Sequence, residues 1–167
     1  MQTNVIVPIA AAEEAVSAWR SAYDPSAPQG MPAHVTLMFP FLGPRHIGEQ
    51  TLDSLGALFS AEDPFDVAFR RFGTFPGVLY LAPEPSAPFS RLTARIARHF
   101  GTLPYEGRHS EVIPHLTVAM DTDDELNQKI EEAVSEHLPI VTRVEEAWLM
   151  VLEEDRWRKT AAFSFAP

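Results

Sequence analysis

The pattern His-x-Thr-aliphatic occurs twice in this chain of 167 residues, at positions 34–37 and 115–118. Each copy opens a short apolar run in which aliphatic residues alternate with the histidine and the threonine. Because alternate residues of a β-strand point to the same face, each run predicts a strand with an imidazole and a hydroxyl on one face. Its aliphatic residues would face a core, so the chain is expected to contain two half-buried strands of the same design.

This recurrence is uncommon for the composition. With six histidines and ten threonines in the chain, chance gives only about 0.4 matches to His-x-Thr. Two explanations remain open at this stage. The plainer one is a pair of strand histidines beside β-forming residues. The functional one is a site where two imidazoles and two hydroxyls converge, a set that suits general acid–base chemistry on a phosphate ester.

The remaining periodicity predicts an internal duplication. The order strand, helix, motif strand, helix, strand is followed by approximately the same order again. Duplicated units tend to pack about a pseudo-two-fold axis, which would bring the two motif strands together across a cleft. Residues 122–125 resemble a capping box. We expect strands at 5–9, 65–69 and 78–81, helices near 11–23, 52–59, 92–100 and 126–138, and closing strands at 140–152 and 158–165.

The composition argues against several classes of protein. The net charge is −10, with 13 basic against 23 acidic residues, which argues against long DNA or duplex RNA as a partner. A small nucleotide or a short RNA end held in one pocket remains compatible with this charge. The absence of cysteine removes disulfides, thiol nucleophiles and cysteine-ligated metals. No apolar run approaches the ~20 residues of a membrane span, and the first residues lack a signal-peptide pattern, so we expect a cytoplasmic protein without a membrane partner.

Metal binding is an alternative use of the two histidines. A catalytic zinc usually takes three protein ligands, and no carboxylate lies at a ligand-like offset from either motif. We therefore expect no metal and no other cofactor.

Three residues near the motifs are candidate substrate contacts, whereas Phe39 is expected to point away from His34 into the core. The candidates are Phe41, Tyr105 and Arg108.

The chain resembles the two-histidine (2H) phosphoesterase superfamily, which includes the LigT-like 2′-5′ RNA ligases and the cyclic phosphodiesterases. The similarity runs over nearly the whole length, and the 81-residue separation of the two histidines is similar to that in the family. It implies an α+β fold with two pseudo-symmetric lobes, each a small, mostly antiparallel sheet with outer helices, and a cleft between them. Residues 1–167 would form one such two-lobed domain. The resemblance rests on 32–39, 72–75, 78–81, 113–118 and 156–165.

This resemblance implies a metal-free phosphodiesterase acting on 2′,3′-cyclic phosphates or related RNA phosphodiesters. His34 and His115 match the catalytic positions of the family, and Thr36 and Thr117 match its phosphate-binding positions. The family leans toward His115 as the base that activates water and His34 as the acid. The expected ligand is a small nucleotide or a short RNA end, and the expected state is a monomer. Two alternatives stay open: a catalytically silent nucleotide- or RNA-end-binding module, and a cyclic phosphodiesterase for ADP-ribose 1″,2″-cyclic phosphate.

Overall fold

The computed structural model describes residues 1–109 and 111–167, and this part of the chain contains eight strands and four α-helices. The helices are α1 (Glu13–Tyr23), α2 (Glu49–Ser60), α3 (Ala87–Phe100) and α4 (Asp124–Ser135). Short 3₁₀ turns lie at Ala10–Ala12, Pro44–His46 and Pro104–Gly107. The strands are β1 (Gln2–Pro8), β2 (His34–Met38), β3 (Phe65–Phe75), β4 (Val78–Glu84), β5 (Leu116–Met120), β6 (Ile140–Val144), β7 (Glu146–Glu153) and β8 (Arg156–Ser164).

The strands form two four-stranded antiparallel sheets, one for each lobe. The first sheet has the order β2-β1-β7-β8 and the second has the order β5-β4-β3-β6. The predicted duplication is visible, because the unit β1-α1-β2 recurs as β4-α3-β5. In each unit the motif strand forms the edge of its sheet and pairs antiparallel with the strand before the helix. The expected α+β architecture of two lobes is therefore confirmed.

Each of the two units contributes a helix that packs on the motif strand of the other unit. Helix α1 packs on β5 of the second sheet, and α3 packs on β2 of the first sheet. The Thr93 hydroxyl of α3 donates to the Leu37 carbonyl of β2, 2.7 Å away. The edges of β2 and β5 also contact each other. The motif strands are therefore the place where the two lobes meet.

Apolar alternation determines which face of each sheet is buried. In β1, Val5 and Val7 enter the main core, whereas Ile6 faces the opposite side with Met150. Helix α2 covers the first sheet with Phe59, whose ring lies parallel to that of Phe165 at a centroid distance of 5.7 Å. Truncating such a buried ring to alanine typically costs about 3–5 kcal/mol. This contact therefore contributes substantially to the attachment of the C-terminal segment.

Three sequence-based expectations need correction. The predicted strand at 140–152 is two strands, β6 and β7, which belong to different sheets. The adjacent Glu145 and Glu146 interrupt the apolar alternation at the crossing, but such an interruption does not assign the two halves to different sheets. The predicted strand at 65–69 continues to residue 75. The cap of α4 is Asp123, whose carboxylate accepts the N–H of Leu126 at 2.8 Å, while Thr122 bonds to Asn127 instead.

Among the described residues, no helix has the length and apolar character needed to cross a membrane.

Gly73 illustrates how closely the second sheet is packed beside the second motif. It lies opposite Tyr80 in the β3–β4 pair, and a Cβ on Gly73 would lie 2.4 Å from Tyr80 Cζ. The Tyr80 ring also contacts the imidazole of His115, at a centroid distance of 5.4 Å. Although alanine is ordinarily favoured over glycine in a strand, Gly73→Ala is expected to lower the free energy of unfolding by about 1–3 kcal/mol through overpacking. Denaturant unfolding measures this change.

Gly56 of α2 provides the matched control. A Cβ there would have Phe163 Cδ1 as its nearest neighbour, at an ordinary distance of 3.9 Å. Gly56→Ala should therefore raise the free energy of unfolding by roughly 0.5–1 kcal/mol through backbone entropy. If Gly73→Ala were as stable as Gly56→Ala, the close packing of Tyr80 over Gly73 would be wrong.

Candidate active site

The first motif lies on β2 as its alternation predicts. Val35 and Leu37 are buried in the core, while His34 and Thr36 are only partly buried on the other face. Strand β1 pairs with β2 along this stretch, and Ile6 lies opposite Thr36. An imidazole and a hydroxyl therefore share one face of the edge strand, supported from behind by aliphatic packing.

The second motif repeats this arrangement with one small difference. Strand β5 begins at Leu116, so His115 is the residue immediately before the strand. Leu116 and Val118 are buried, and Thr117, opposite Tyr80 of β4, is partly exposed. The Phe75 ring also packs edge to face with the His115 imidazole, with centroids 5.1 Å apart. Two aromatic rings thus restrict the orientation of the second histidine.

The structure brings the two motifs next to each other. Strands β2 and β5 are in contact, and the charge of His115 is close enough to affect the pKa of His34. The convergence expected from the duplication is therefore present in the fold. The two histidines come from opposite lobes, so the site exists only when both lobes are folded and packed together.

Both imidazoles are held by the same local hydrogen bond. His34 Nδ1 lies 2.7 Å from the Pro32 carbonyl oxygen, and His115 Nδ1 lies 2.7 Å from the Ile113 carbonyl oxygen. A carbonyl can only accept, so each Nδ1 carries the proton and donates it. Each Nε2 is left with a lone pair in the neutral ring and with a proton in the charged ring. Either histidine can therefore act as base or acid through Nε2.

Burial favours the neutral form of both histidines. It lowers the pKa of His34 to about 4, against the opposing effect of the hydrogen bond to Pro32. Smaller effects come from the nearby charges of Arg20, which lowers this pKa, and of Asp24, which raises it. Burial also lowers the pKa of His115. In the free protein at neutral pH both imidazoles are thus uncharged, and a bound anion would favour protonation of one of them.

Tyr105 is the predicted substrate contact that lies beside the motifs. Its backbone N–H donates to the Phe39 carbonyl at 2.6 Å, which ties the 3₁₀ turn to the end of β2. Burial raises the pKa of the Tyr105 hydroxyl, and a side-chain hydrogen bond with Thr36 opposes this shift. The rings of Tyr105 and Trp157 lie 6.5 and 6.2 Å from that of Phe39. An aromatic cluster of Phe39, Tyr105 and Trp157 therefore borders the first motif.

The other two predicted contacts do not lie in this cluster. Phe41 is a core residue, packed edge to face against Phe100 at 5.0 Å. Phe39, expected in the core, occupies the position beside the motif instead. The cause is a bulge in β2. Thr36 pairs with Ile6 and Met38 pairs with the adjacent Val5, so β2 has one extra residue between these two pairs. Arg108 is exposed and pairs with the carboxylate of its neighbour Glu106 at 3.1 Å.

The donor set does not suggest a metal centre. Within residues 1–109 and 111–167, no group of three His, Asp or Glu side chains is arranged to hold a metal ion. A cavity of about 680 Å³ opens elsewhere between the sheets, bordered by Pro8, Trp148 and Arg143, and neither motif histidine lines it. We place the candidate site at the histidines because, in the described part of the chain, they combine convergent titratable groups with perturbed pKa values.

Comparison with known proteins identifies the family. The model of the 2′-5′ RNA ligase superfamily matches residues 7–156. This chain belongs to the 2′-5′ RNA ligase superfamily. A Bacillus cytotoxicus protein carrying the name "putative phosphoesterase" is 29% identical over 123 residues, which cover 72% of this chain and 69% of that protein. The resemblance to 2H phosphoesterases inferred from the two motifs is thereby confirmed.

Several solved structures share the fold of this chain. Escherichia coli LigT complexed with 3′-AMP aligns with a TM-score of 0.63 at 17% identity, over 99% of this chain and 98% of that chain. The complex of LigT with NADP⁺ gives 0.60 at 18% identity over the same shares. The protein TT0787 of Thermus thermophilus gives 0.58 at 22% identity, over 98% of this chain and 97% of that chain. These likenesses establish the two-lobed architecture of this superfamily member.

The partly buried imidazoles should respond to an anion in a way that NMR can measure. In the free protein, His34 is expected to titrate with a pKa of about 4 and His115 below its ordinary range. Saturating inorganic phosphate should raise the pKa of at least one of them, because a nearby negative charge stabilises imidazolium. Potassium chloride at equal ionic strength is the control. Ordinary titration of both rings, unmoved by phosphate, would contradict the placement of the two motifs in one partly buried site.

Proposed function

We propose that this protein is a metal-independent phosphodiesterase that opens the 2′,3′-cyclic phosphate of a nucleotide or of a short RNA end by paired-histidine general acid–base catalysis. The observation that carries the proposal is the pair of imidazoles at the start of two contacting strands, each held through Nδ1 and with no hydrogen bond to Nε2 from residues 1–109 or 111–167. Such a pair can accept and donate protons at one phosphate without a metal. Each proton transfer by a positioned group typically contributes ~10²–10⁴-fold to the rate.

The proposed reaction conserves protons across the two histidines. A neutral imidazole takes a proton on Nε2 from a water molecule while the water oxygen bonds to phosphorus. The bond from phosphorus to one ribose oxygen then breaks, and the second imidazole, protonated on Nε2, gives its proton to that oxygen. The product is a phosphomonoester, and the two rings have exchanged protonation states. Following the family, His115 is proposed as the base and His34 as the acid.

The threonines are proposed to bind the phosphate. Thr36 and Thr117 each share a strand face with a histidine, and their hydroxyls can donate to the non-bridging oxygens. The Tyr105 hydroxyl beside Thr36 is a further candidate donor. Because both imidazoles are neutral in the free site, the negative charge of the bound phosphate would raise the pKa of the histidine that acts as the acid, and this histidine would then be protonated. Binding of substrate and formation of the active protonation state are then the same event.

The proposed substrate is small. The net charge of −10 opposes affinity for long polyanions, and E. coli LigT has been crystallised with 3′-AMP, ATP and NADP⁺. We propose that residues 1–167 act as one two-lobed domain, as a monomer and in the cytoplasm. One chain supplies both motifs, so the site does not require a second copy. The four motif side chains are intact, which favours an enzyme over a silent binding module.

Replacing either histidine should remove turnover. With His34→Ala or His115→Ala we expect a loss on the order of 10²-fold or more, because each ring has its own proton transfer. Thr36→Ala and Thr117→Ala should lose less, since a phosphate oxygen keeps other donors. His137→Ala, at an exposed position, is the control. The assay uses 2′,3′-cyclic nucleotides, oligonucleotides with cyclic ends, and ADP-ribose 1″,2″-cyclic phosphate as separate substrates.

Three results would count against the proposal. Near wild-type turnover by His34→Ala would disprove the paired-histidine scheme. Binding of nucleotides without turnover on any substrate would leave only the silent module. Turnover confined to the ADP-ribose substrate would replace RNA ends by a non-RNA cyclic phosphate as the substrate class.

The pH dependence follows from the lowered pKa values. A bell-shaped profile is expected, because activity is lost when the base is protonated and again when the acid is deprotonated. Both pKa values are lowered in the free protein, so kcat/KM should be highest below pH ~6.5, the ordinary histidine value. The profile of kcat should lie at higher pH, because the bound phosphate raises these pKa values. EDTA should leave the rate unchanged, and inactivation reversed by zinc would overturn the mechanism.

A further inference from the structure

The peptide group between Pro32 and Ala33 makes a hydrogen bond at each end. Its carbonyl oxygen accepts from His34 Nδ1 at 2.7 Å. Its N–H, which belongs to Ala33, donates to Glu13 Oε1 at 2.6 Å. One planar amide therefore connects the carboxylate of Glu13 to the imidazole of His34. The connection runs from the first residue of α1 to the first residue of β2.

We propose that Glu13 is a positioning residue for His34, acting through this peptide group. The proposal rests on the proposed function, in which His34 transfers a proton. Hydrogen bonds in a chain polarise one another, so a carboxylate on the N–H makes the carbonyl of the same amide a stronger acceptor. A stronger acceptor holds the Nδ1–H tautomer and stabilises imidazolium when the ring is protonated. A carboxylate bonded directly to a catalytic histidine has the same two effects.

Glu13 is itself held in place. The Arg20 guanidinium, whose residue is 2% exposed, approaches Glu13 Oε1 to 3.9 Å. Arg20 is fixed in turn by two contacts of 3.1 Å with Asp24 Oδ2. The other end of Ala33 is also fixed, because its carbonyl accepts the N–H of Ile9 at 2.8 Å. The amide that bonds to His34 therefore cannot rotate without breaking contacts to α1 and to the segment after β1.

The second motif cannot form the same connection from a carboxylate through a peptide group to its histidine. The carbonyl that accepts from His115 Nδ1 belongs to Ile113, and the next residue is Pro114. Proline has no N–H, so this peptide unit has no hydrogen to offer a carboxylate. The two motifs thus match at their histidines and differ one residue earlier. Of the two rings, His34 alone has a carboxylate behind its acceptor, which adds a chemical difference between the two imidazoles.

The other charged groups near His34 are Arg20 and Asp24, from α1 and the turn after it, and His115 from the second lobe. Arg20 and Asp24 form a pair of opposite charges and act on His34 in opposite directions. The Glu13 side chain is 42% exposed, so solvent weakens its long-range field. Its effect on His34 is therefore expected through the hydrogen-bonded amide.

The charge of Glu13 can be removed while its hydrogen bond is kept. Glu13→Gln retains an acceptor for the N–H of Ala33, and Glu14→Gln removes the neighbouring, exposed charge of the same helix as a control. In Glu13→Gln we expect the Nδ1–H proton resonance of His34 to move upfield, while that of His115 stays in place. The pKa of His34 should fall, because imidazolium loses a stabilising charge. In the active enzyme, kcat should fall by roughly tenfold with KM nearly unchanged, since the acceptor matters most when the ring is charged.

The outcomes separate this role from a merely structural one and from the proposed function. If Glu13→Gln lost stability but kept the His34 resonance, the pH profile and kcat, Glu13 would only hold α1 to the segment before β2. Equal effects of Glu13→Gln and Glu14→Gln would also overturn the proposal. The NMR comparison needs no substrate. A shifted His34 resonance in a protein inactive on every cyclic phosphate would support the role of Glu13 and disprove the proposed function.

Discussion

The hydrogen bond from each imidazole Nδ1 to a backbone carbonyl two residues earlier is the interaction on which the site depends. It selects the tautomer, and it leaves Nε2 available to the cleft. Each bond is formed within the tripeptide ending at the histidine, so the choice of tautomer is determined locally. Contacts from distant residues, such as Phe75 and Tyr80 at His115, then restrict the orientation of the ring.

The way the sheets meet follows from the position of the motif strands. Both are edge strands, and an uncovered edge offers free backbone groups to other chains. In this fold each edge is covered by the helix of the other unit, and the Thr93 hydroxyl satisfies a carbonyl of β2 directly. The packing of α1 and α3 on the opposite unit covers these edges and also holds the two histidines close to each other. Stability of the lobe interface and assembly of the site are thus a single property.

The parts of the fold that could be predicted from the sequence are those determined by local alternation. The two motifs, their buried aliphatic partners and the duplicated order of elements follow from periodicity. The positions of Phe39 beside the first motif and of Phe41 in the core do not follow from periodicity. They result from a bulge that exists only when Met38 pairs with Val5. The split of the strand at 140–152 has a similar cause, since β6 and β7 find partners in different sheets. Pairing between distant segments decides both features, and the adjacent Glu145 and Glu146 show only an interruption, not which sheet each strand joins.

The same limit applies to the difference between the two histidines. The sequence shows two motifs of one pattern, and duplication alone would give two equivalent bases. Acid–base catalysis needs two unequal groups, so the inequality has to come from residues outside the repeated tetrapeptide. Pro114 is visible in the sequence, but its meaning depends on Glu13, which reaches Ala33 because the first residue of α1 lies beside the residue that precedes β2. In the proposed mechanism, a symmetric pair of strands becomes an unequal pair of proton-transfer groups through one amide N–H that is present before His34 and absent before His115.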